Sequence, residues 1–228
     1  ERNSSTNVIS TLSSPNSIPE KLIKHLKEHK NTLKKLTVDF EKEYSNNTIS
    51  ERTHQRELEE ISERIFNYLD NFMVLSPNKH GLWGVNNLHK VLLEQSYEEG
   101  IMHWPSGTPV MCSQNQAEFG LSNGDIGVAI GHSRSRRVLF RTFSSKEQSG
   151  ICIIHPARIK KIIPAFALTI HKAQGSEANR VILLWPNSIR NYKNLNTQIE
   201  LNEEFEKRLI YTAITRAKEK LEIIINMD

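Results

Sequence analysis

Between two apolar runs, AFALTI (165–170) and VILLW (181–185), the chain gathers Thr169, His171, Lys172, Gln174, Gly175, Ser176 and Glu177 into one stretch, TIHKAQGSE. A plain connection needs only a turn residue or two, so this crowding of polar groups marks a candidate site. Hydroxyl and imidazole groups, as on Thr169 and His171, donate to phosphate oxygens. Glycine, as at 175, allows close backbone approach to a ligand. A second stretch, LIYTAITRAKEKL (209–221), carries Arg216. A guanidinium stays charged and can donate two parallel hydrogen bonds to a phosphate. Plainer roles stand beside these: His171 as a strand-end cap, Gly175 as a turn, and Arg216 as a solvated charge at a helix end. Lys172 reads as solvated, and Tyr211 and Thr212 as packing residues.

Other chemistries find little support. HLKEH (His25 to His29) fits an H-x-x-E-H zinc pattern. Lys24, Lys27 and Lys30 would repel a dication there and nothing identifies a third ligand, so the segment reads as the solvated face of an amphipathic helix, with a metal site a distant second reading. Cys112 and Cys152 fit no disulfide or metal framework and read as reduced thiols. No Ser/His/Asp or Cys/His arrangement has signature spacing. The formal charge of +4 suits a phosphate-rich partner without requiring one. No window approaches the roughly 20 apolar residues needed to cross a bilayer, which predicts no membrane association and a cytoplasmic location. The chain starts at Glu1 rather than Met and is expected to be part of a longer protein.

The elements that would position these residues follow from periodicity. Residues 1–18 are mostly Ser, Asn and Thr and predict a loop or disorder. Leu22, Leu26, Leu33, Leu36 and Phe40 predict a helix over about 19–44. Leu58, Ile61, Ile65, Leu69 and Phe72 share the face of a second helix, and FMVLS (72–76) reads as a buried strand. A third helix runs from Val85 to near Gly100. TPVMC, DIGVAI, RRVLFRTF and GICIIH, separated by turn residues, predict a small antiparallel barrel or sheet. IIPAFALTI and VILLW read as parallel strands covered on both faces. A polar loop (187–202), a helix through Phe205, Leu209, Ala213 and Ala217, and a strand at LEIII complete an α/β layer.

Strand–HKAQGSE–strand, then helix–strand with TRA near the helix end, resembles the second motor domain of superfamily 1 helicases. TIHKAQGSE is similar to their motif V and LIYTAITRAKEKL to their motif VI; the likeness is greatest to the RecD family, the alpha subunit of exodeoxyribonuclease V. LWGVNNL, PVMCSQNQAEFGLSNGDIGV and the β-rich stretch before motif V extend the resemblance over roughly 58–228. It implies a RecA-like fold of the P-loop NTPase type, with a parallel sheet and a small SH3-like β-barrel insertion. The implied segments are 1–57, a linker to a first motor domain; 58–105, the first part of the RecA-like domain; 106–163, the insertion; and 164–228, the part carrying both motifs.

The resemblance also implies roles. Arg216 would be an arginine finger at the γ-phosphate, Gln174, Gly175 and Glu177 would bind ATP, and Thr169 and His171 would bind the DNA backbone. GxxxxGK[ST] does not occur, nor does any Gly-Lys dipeptide. The resemblance implies ATP with Mg²⁺ as the cofactor; with that loop absent, the metal ligands are expected in the N-terminal motor domain, and this chain alone is predicted not to hydrolyse ATP or unwind DNA. Implied partners are single-stranded DNA, RecB-like and RecC-like subunits and that N-terminal motor domain, for 5′→3′ translocation in double-strand break repair. Arg134, Arg136 and Arg137 form a basic turn that reads as solvated, with DNA contact as the alternative. Trp83, Trp104 and Phe119 read as core, with Trp83 the best placed for exposed stacking. Two alternatives stay open: a non-catalytic DNA- or partner-binding module, and the C-terminal half of a conjugative relaxase–helicase or stand-alone RecD-like helicase.

Overall fold

The computed structural model describes residues 7–14, 16–45, 51–143, 149–186 and 203–226. The loop expected at 187–202 lies outside them. In chain order the elements are β1 (Asn7–Ser13), α1 (Glu20–Ser45), α2 (Glu51–Asp70), β2 (Phe72–Ser76), α3 (Val85–Leu93), α4 (Ser96–Glu99), β3 (Pro109–Cys112), β4 (Ile126–Ile130), β5 (Arg137–Phe143), β6 (Ser149–Ile154), β7 (Ile162–Pro164), β8 (Leu168–Thr169), β9 (Ala178–Trp185), α5 (Glu203–Ile214) and β10 (Ala217–Asn226). Contacts divide the chain into two interleaved units. The first comprises Glu1–Ile23, Asp70–Leu88 and Ala167–Asp228; the second comprises Lys24–Leu69 and His89–Phe166.

The first unit is built on a parallel sheet in the order β1-β10-β9-β2-β8. Val181, Ile182, Leu183 and Leu184 of the central strand β9 are all buried, as a strand covered on both faces requires. Glu222 of β10 is buried too, and accepts from Lys21 Nζ at 2.8 Å and from Arg180 at 3.2 Å. Burial pushes its carboxyl pKa up, but the two cations outweigh that and hold it below the ordinary value.

Segment 7–13 is a strand and not the expected loop. It pairs along its whole length with β10, Asn7 opposite Lys220 to Ser13 opposite Asn226. Its composition correctly signals little burial, with Val8 59% and Leu12 61% exposed. An edge strand, however, is held by its backbone ladder, which composition does not report. Trp83 is buried, not exposed, and its Nε1 donates to the Ser17 carbonyl at 2.9 Å.

In the second unit five strands form an antiparallel sheet in the order β6-β5-β4-β3-β7. Leu33 and Phe40 of α1 and Leu58, Ile65 and Phe66 of α2 pack with Val128, Ile130 and Leu139 of the sheet. The helical spacing thus identified the buried faces. Helix α3 stops at Leu93, short of Gly100, because Glu94 takes a positive φ of 52° and Ser96 Oγ donates back to the Leu93 carbonyl. IIPAFALTI does not enter the parallel sheet as one strand. Ile162–Pro164 pairs antiparallel with β3, the Ala165 N–H donates to the Pro109 carbonyl at 2.8 Å, and only Leu168–Thr169 joins β2.

Polar residues of this unit turn inward more than expected. His29 is buried and stacked on Tyr68 at 4.9 Å, so HLKEH is not a solvated face; burial lowers its pKa from 6.5 to about 4. Arg136 is 2% exposed and donates to the carbonyls of Trp104 and, at 3.4 Å, Ile130. The basic turn is therefore not a solvated trio: Arg137 donates to the Arg136 carbonyl at 2.8 Å, and Arg134 remains exposed. Trp104 is buried, and Phe119 is half-buried with the Arg158 guanidinium 4.7 Å from its ring centre.

Candidate functional site

The polar stretch after β8 folds as a 3-10 turn over Ile170–Ala173, followed by Gly175 in the left-handed region (φ 87°) and the start of β9. Ile170 and Ala173 point into the core and anchor the turn. His171, Lys172, Gln174 and Glu177 are consequently exposed. A Cβ built on Gly175 would meet no atom within 4 Å, so its φ, and not crowding, is what calls for glycine here.

Arg216 lies on a two-residue turn between α5 and β10. The helix ends at Ile214 and Ala217 already pairs with Ala178 of β9, where a helix through Ala217 was expected. The ladder explains the difference: the Ala178 N–H donates to the Arg216 carbonyl at 2.9 Å and draws the chain into the sheet. The guanidinium of Arg216 is half-buried and meets the other motif directly. One terminal nitrogen donates to the Ser176 carbonyl at 3.3 Å, Nε donates to the Thr212 carbonyl at 3.1 Å, and the other terminal nitrogen donates to Thr215 Oγ1 at 3.0 Å.

Five of the six sequence-predicted residues therefore fall into two clusters and one outlier, and the sixth, Gly175, lies between the clusters. Arg216 sits at the junction against Ser176, next to exposed Glu177, whose carboxylate lies 3.7 Å from Lys218 Nζ. His171 and Gln174 instead line a groove of about 610 Å³ with α5 residues including Lys207, Arg208, Tyr211 and Thr212. The His171 ring centre is 6.3 Å from that of Phe205. Thr169 lines neither; it is half-buried in β8, opposite Ser76. Gly175 links the two clusters along the chain.

Sequence reasoning missed the α5 side of the groove. Tyr211 is 70% exposed and not a packing residue. The missed signal was i,i+4 spacing, which puts Lys207 beside Tyr211 and Arg208 beside Thr212 on one helix face. Lys218 was missed as well. Among the described residues no three His, Cys, Asp or Glu side chains converge as a metal site, and no helix is long and apolar enough to cross a membrane.

Residues 164–224, which hold both clusters, match the UvrD-like helicase C-terminal domain. The chain is also similar to the RecBCD enzyme subunit RecD. With the protein of Buchnera aphidicola subsp. Schizaphis graminum it is 30% identical over 162 residues, 67% of this chain and 24% of that protein. With that of Haemophilus influenzae it is 29% identical over 146 residues, 61% of this chain and 19% of that protein. Among solved structures, Bacteroides Pif1 bound to ssDNA aligns with a TM-score of 0.39 and 16% identity over 66% of this chain and 40% of that one, a likeness that adds nothing to the assignment. The chain carries a helicase C-terminal domain, and its similarity to the RecD family of superfamily 1 helicases extends over two thirds of its length. It spans about a quarter of the length of the first curated relatives it matches.

Proposed function

We propose that this chain is the C-terminal motor part of an ATP-dependent DNA helicase of the RecD type, moving 5′→3′ on single-stranded DNA during double-strand break repair. Its partners on this reading are single-stranded DNA, RecB-like and RecC-like subunits and its own N-terminal motor domain, in the cytoplasm. Segment 106–163 is the SH3-like insertion. Arg216 is the finger that stabilises charge at a γ-phosphate, Gln174, Gly175 and Glu177 hold the nucleotide, and Thr169 and His171 hold DNA phosphates.

The observation that carries the reading is the hydrogen bond from Arg216 to the Ser176 carbonyl, within a span matching a helicase C-terminal domain. A motor needs its fuel-sensing and track-sensing groups in mechanical contact, and here the two motifs touch. The residues present fit a nucleotide. A guanidinium has five N–H groups, and among the described residues the three engaged on protein acceptors leave one on each terminal nitrogen. Gly175 has open space above it. ATP, when bound, supplies the phosphoryl group whose transfer to water drives the cycle; Mg²⁺ is held by the N-terminal domain.

The test is DNA-stimulated ATP hydrolysis by the full-length protein. Arg216→Ala should lower turnover by roughly 10³- to 10⁵-fold while nucleotide and DNA still bind. The isolated 228-residue chain should show none. Native turnover in the full-length variant, or robust hydrolysis by the isolated chain, would overturn the reading.

A further inference from the structure

Two of the three acceptors around the Arg216 guanidinium, the carbonyls of Thr212 and Ser176, belong to the backbone and are set by the fold. The third is the hydroxyl of Thr215, the residue immediately before the arginine. The hydroxyl has its own proton committed, because Thr215 Oγ1 donates to the Thr212 carbonyl at 2.9 Å. A hydroxyl has one proton and two lone pairs, so with the proton so placed only lone pairs remain for Arg216. β-branching further restricts χ1 of a threonine. Thr212 O, Thr215 Oγ1 and the guanidinium thus close a small ring, in which Nε and one terminal nitrogen are each tied to one member.

We propose that Thr215 is a positioning residue for Arg216. Its hydroxyl fixes the rotation of the guanidinium about its long, flexible side chain, so that the two N–H groups left over are presented together to the nucleotide. Thr215 touches no nucleotide itself. The proposal rests on the assignment of Arg216 to a γ-phosphate and adds the group that aims it. Serine or valine at 215 separates the possibilities, since serine keeps the hydroxyl and valine keeps the shape. The competing account is local: a threonine hydroxyl bonded to the carbonyl three residues back often does no more than finish a helix. That account places the effect in stability and none in the chemical step. The positioning account places it in kcat, because a misplacement of about 1 Å in a reacting constellation costs roughly 10²-fold.

The experiment measures kcat and KM for ATP at saturating single-stranded DNA, DNA affinity and melting temperature in the full-length protein. Its variants are Thr215→Val, Thr215→Ser, Arg216→Ala and the Thr215→Val/Arg216→Ala double variant. Thr215→Val should lower kcat roughly 10- to 100-fold, with KM and DNA affinity within about twofold of native. Thr215→Ser should restore kcat to within about threefold, and the double variant should be no slower than Arg216→Ala alone. If Thr215→Val does not fold, Thr215→Ala removes the same hydroxyl and carries the comparison. Native kcat without the hydroxyl, or additive losses in the double variant, overturns the role of Thr215 while leaving Arg216 in place. Native kcat in Arg216→Ala instead removes the finger assignment on which the proposal stands.

Discussion

Each unit of the molecule holds an arginine bound to backbone carbonyls, and the two differ in what they leave over. In the antiparallel unit Arg136 is almost wholly buried, its charge placed near Glu41 and its two terminal nitrogens on the carbonyls of Trp104 and Ile130, while its Nε is buried with no hydrogen-bond partner among the described residues. Burial lowers its pKa and Glu41 raises it, but a guanidinium stays charged in either case. In the parallel unit Arg216 is half-buried on a turn and, among the described residues, has an N–H to spare on each terminal nitrogen. Bonding to carbonyls is common to both. Accessible, unused donors beside a second motif are what separate a candidate chemical group from a structural one.

Stability measurements sharpen this contrast, and the largest effect belongs to the buried arginine. Arg136→Ala strips two carbonyls of their donor and leaves Glu41 without its nearby cation, and should cost about 3 kcal/mol or more in unfolding by denaturant. Arg216→Ala should cost less than about 1 kcal/mol, since its acceptors stay close to water. Equal losses would erase the distinction drawn between them.

The buried His29 gives the antiparallel unit an acid sensitivity. With its folded pKa near 4 against 6.5 unfolded, the unfolded chain binds the extra proton first as pH falls. Its contribution is full above pH 6.5 and is lost as pH falls through about 4, a change of up to about 3 kcal/mol. His29→Phe should flatten the native protein's decline across that window, and an unchanged slope would refute the assignment. Smaller than the Arg136 and His29 effects is that of Gly175→Ala. Open space surrounds the site, so only the left-handed backbone opposes a side chain, at about 1 to 2 kcal/mol, read as a lower unfolding midpoint.

Much of this was legible in the sequence, and the failures share a cause. Leu33, Phe40, Leu58 and Ile65 announced helix faces because side-chain burial imposes a 3.6-residue period. The four β-rich runs and VILLW announced strands because they are short β-branched or apolar runs bounded by turn residues or polar segments. Where backbone pairing decided the outcome, composition was silent. It missed β1, assigned Ile162–Pro164 to the wrong sheet and carried α5 past Ile214 into Ala217. Long polar side chains were equally opaque: RSRR read as solvated because nothing local reveals that Arg136 reaches the carbonyls of Ile130 and the distant Trp104. At the site, residue types were readable, but their grouping was not. That His171 and Gln174 share a groove with α5 while Arg216 meets Ser176 follows from how the turn and the helix end are packed.

The central claim, that Arg216 serves a terminal phosphate, is met most directly by comparing ADP with ADP–aluminium fluoride, which imitates the phosphoryl group in transfer. In full-length protein saturated with single-stranded DNA, Arg216→Ala should bind ADP as the native protein does and lose at least about 100-fold in affinity for ADP–aluminium fluoride. Equal affinity of the variant and the native protein for the fluoride complex would contradict the account.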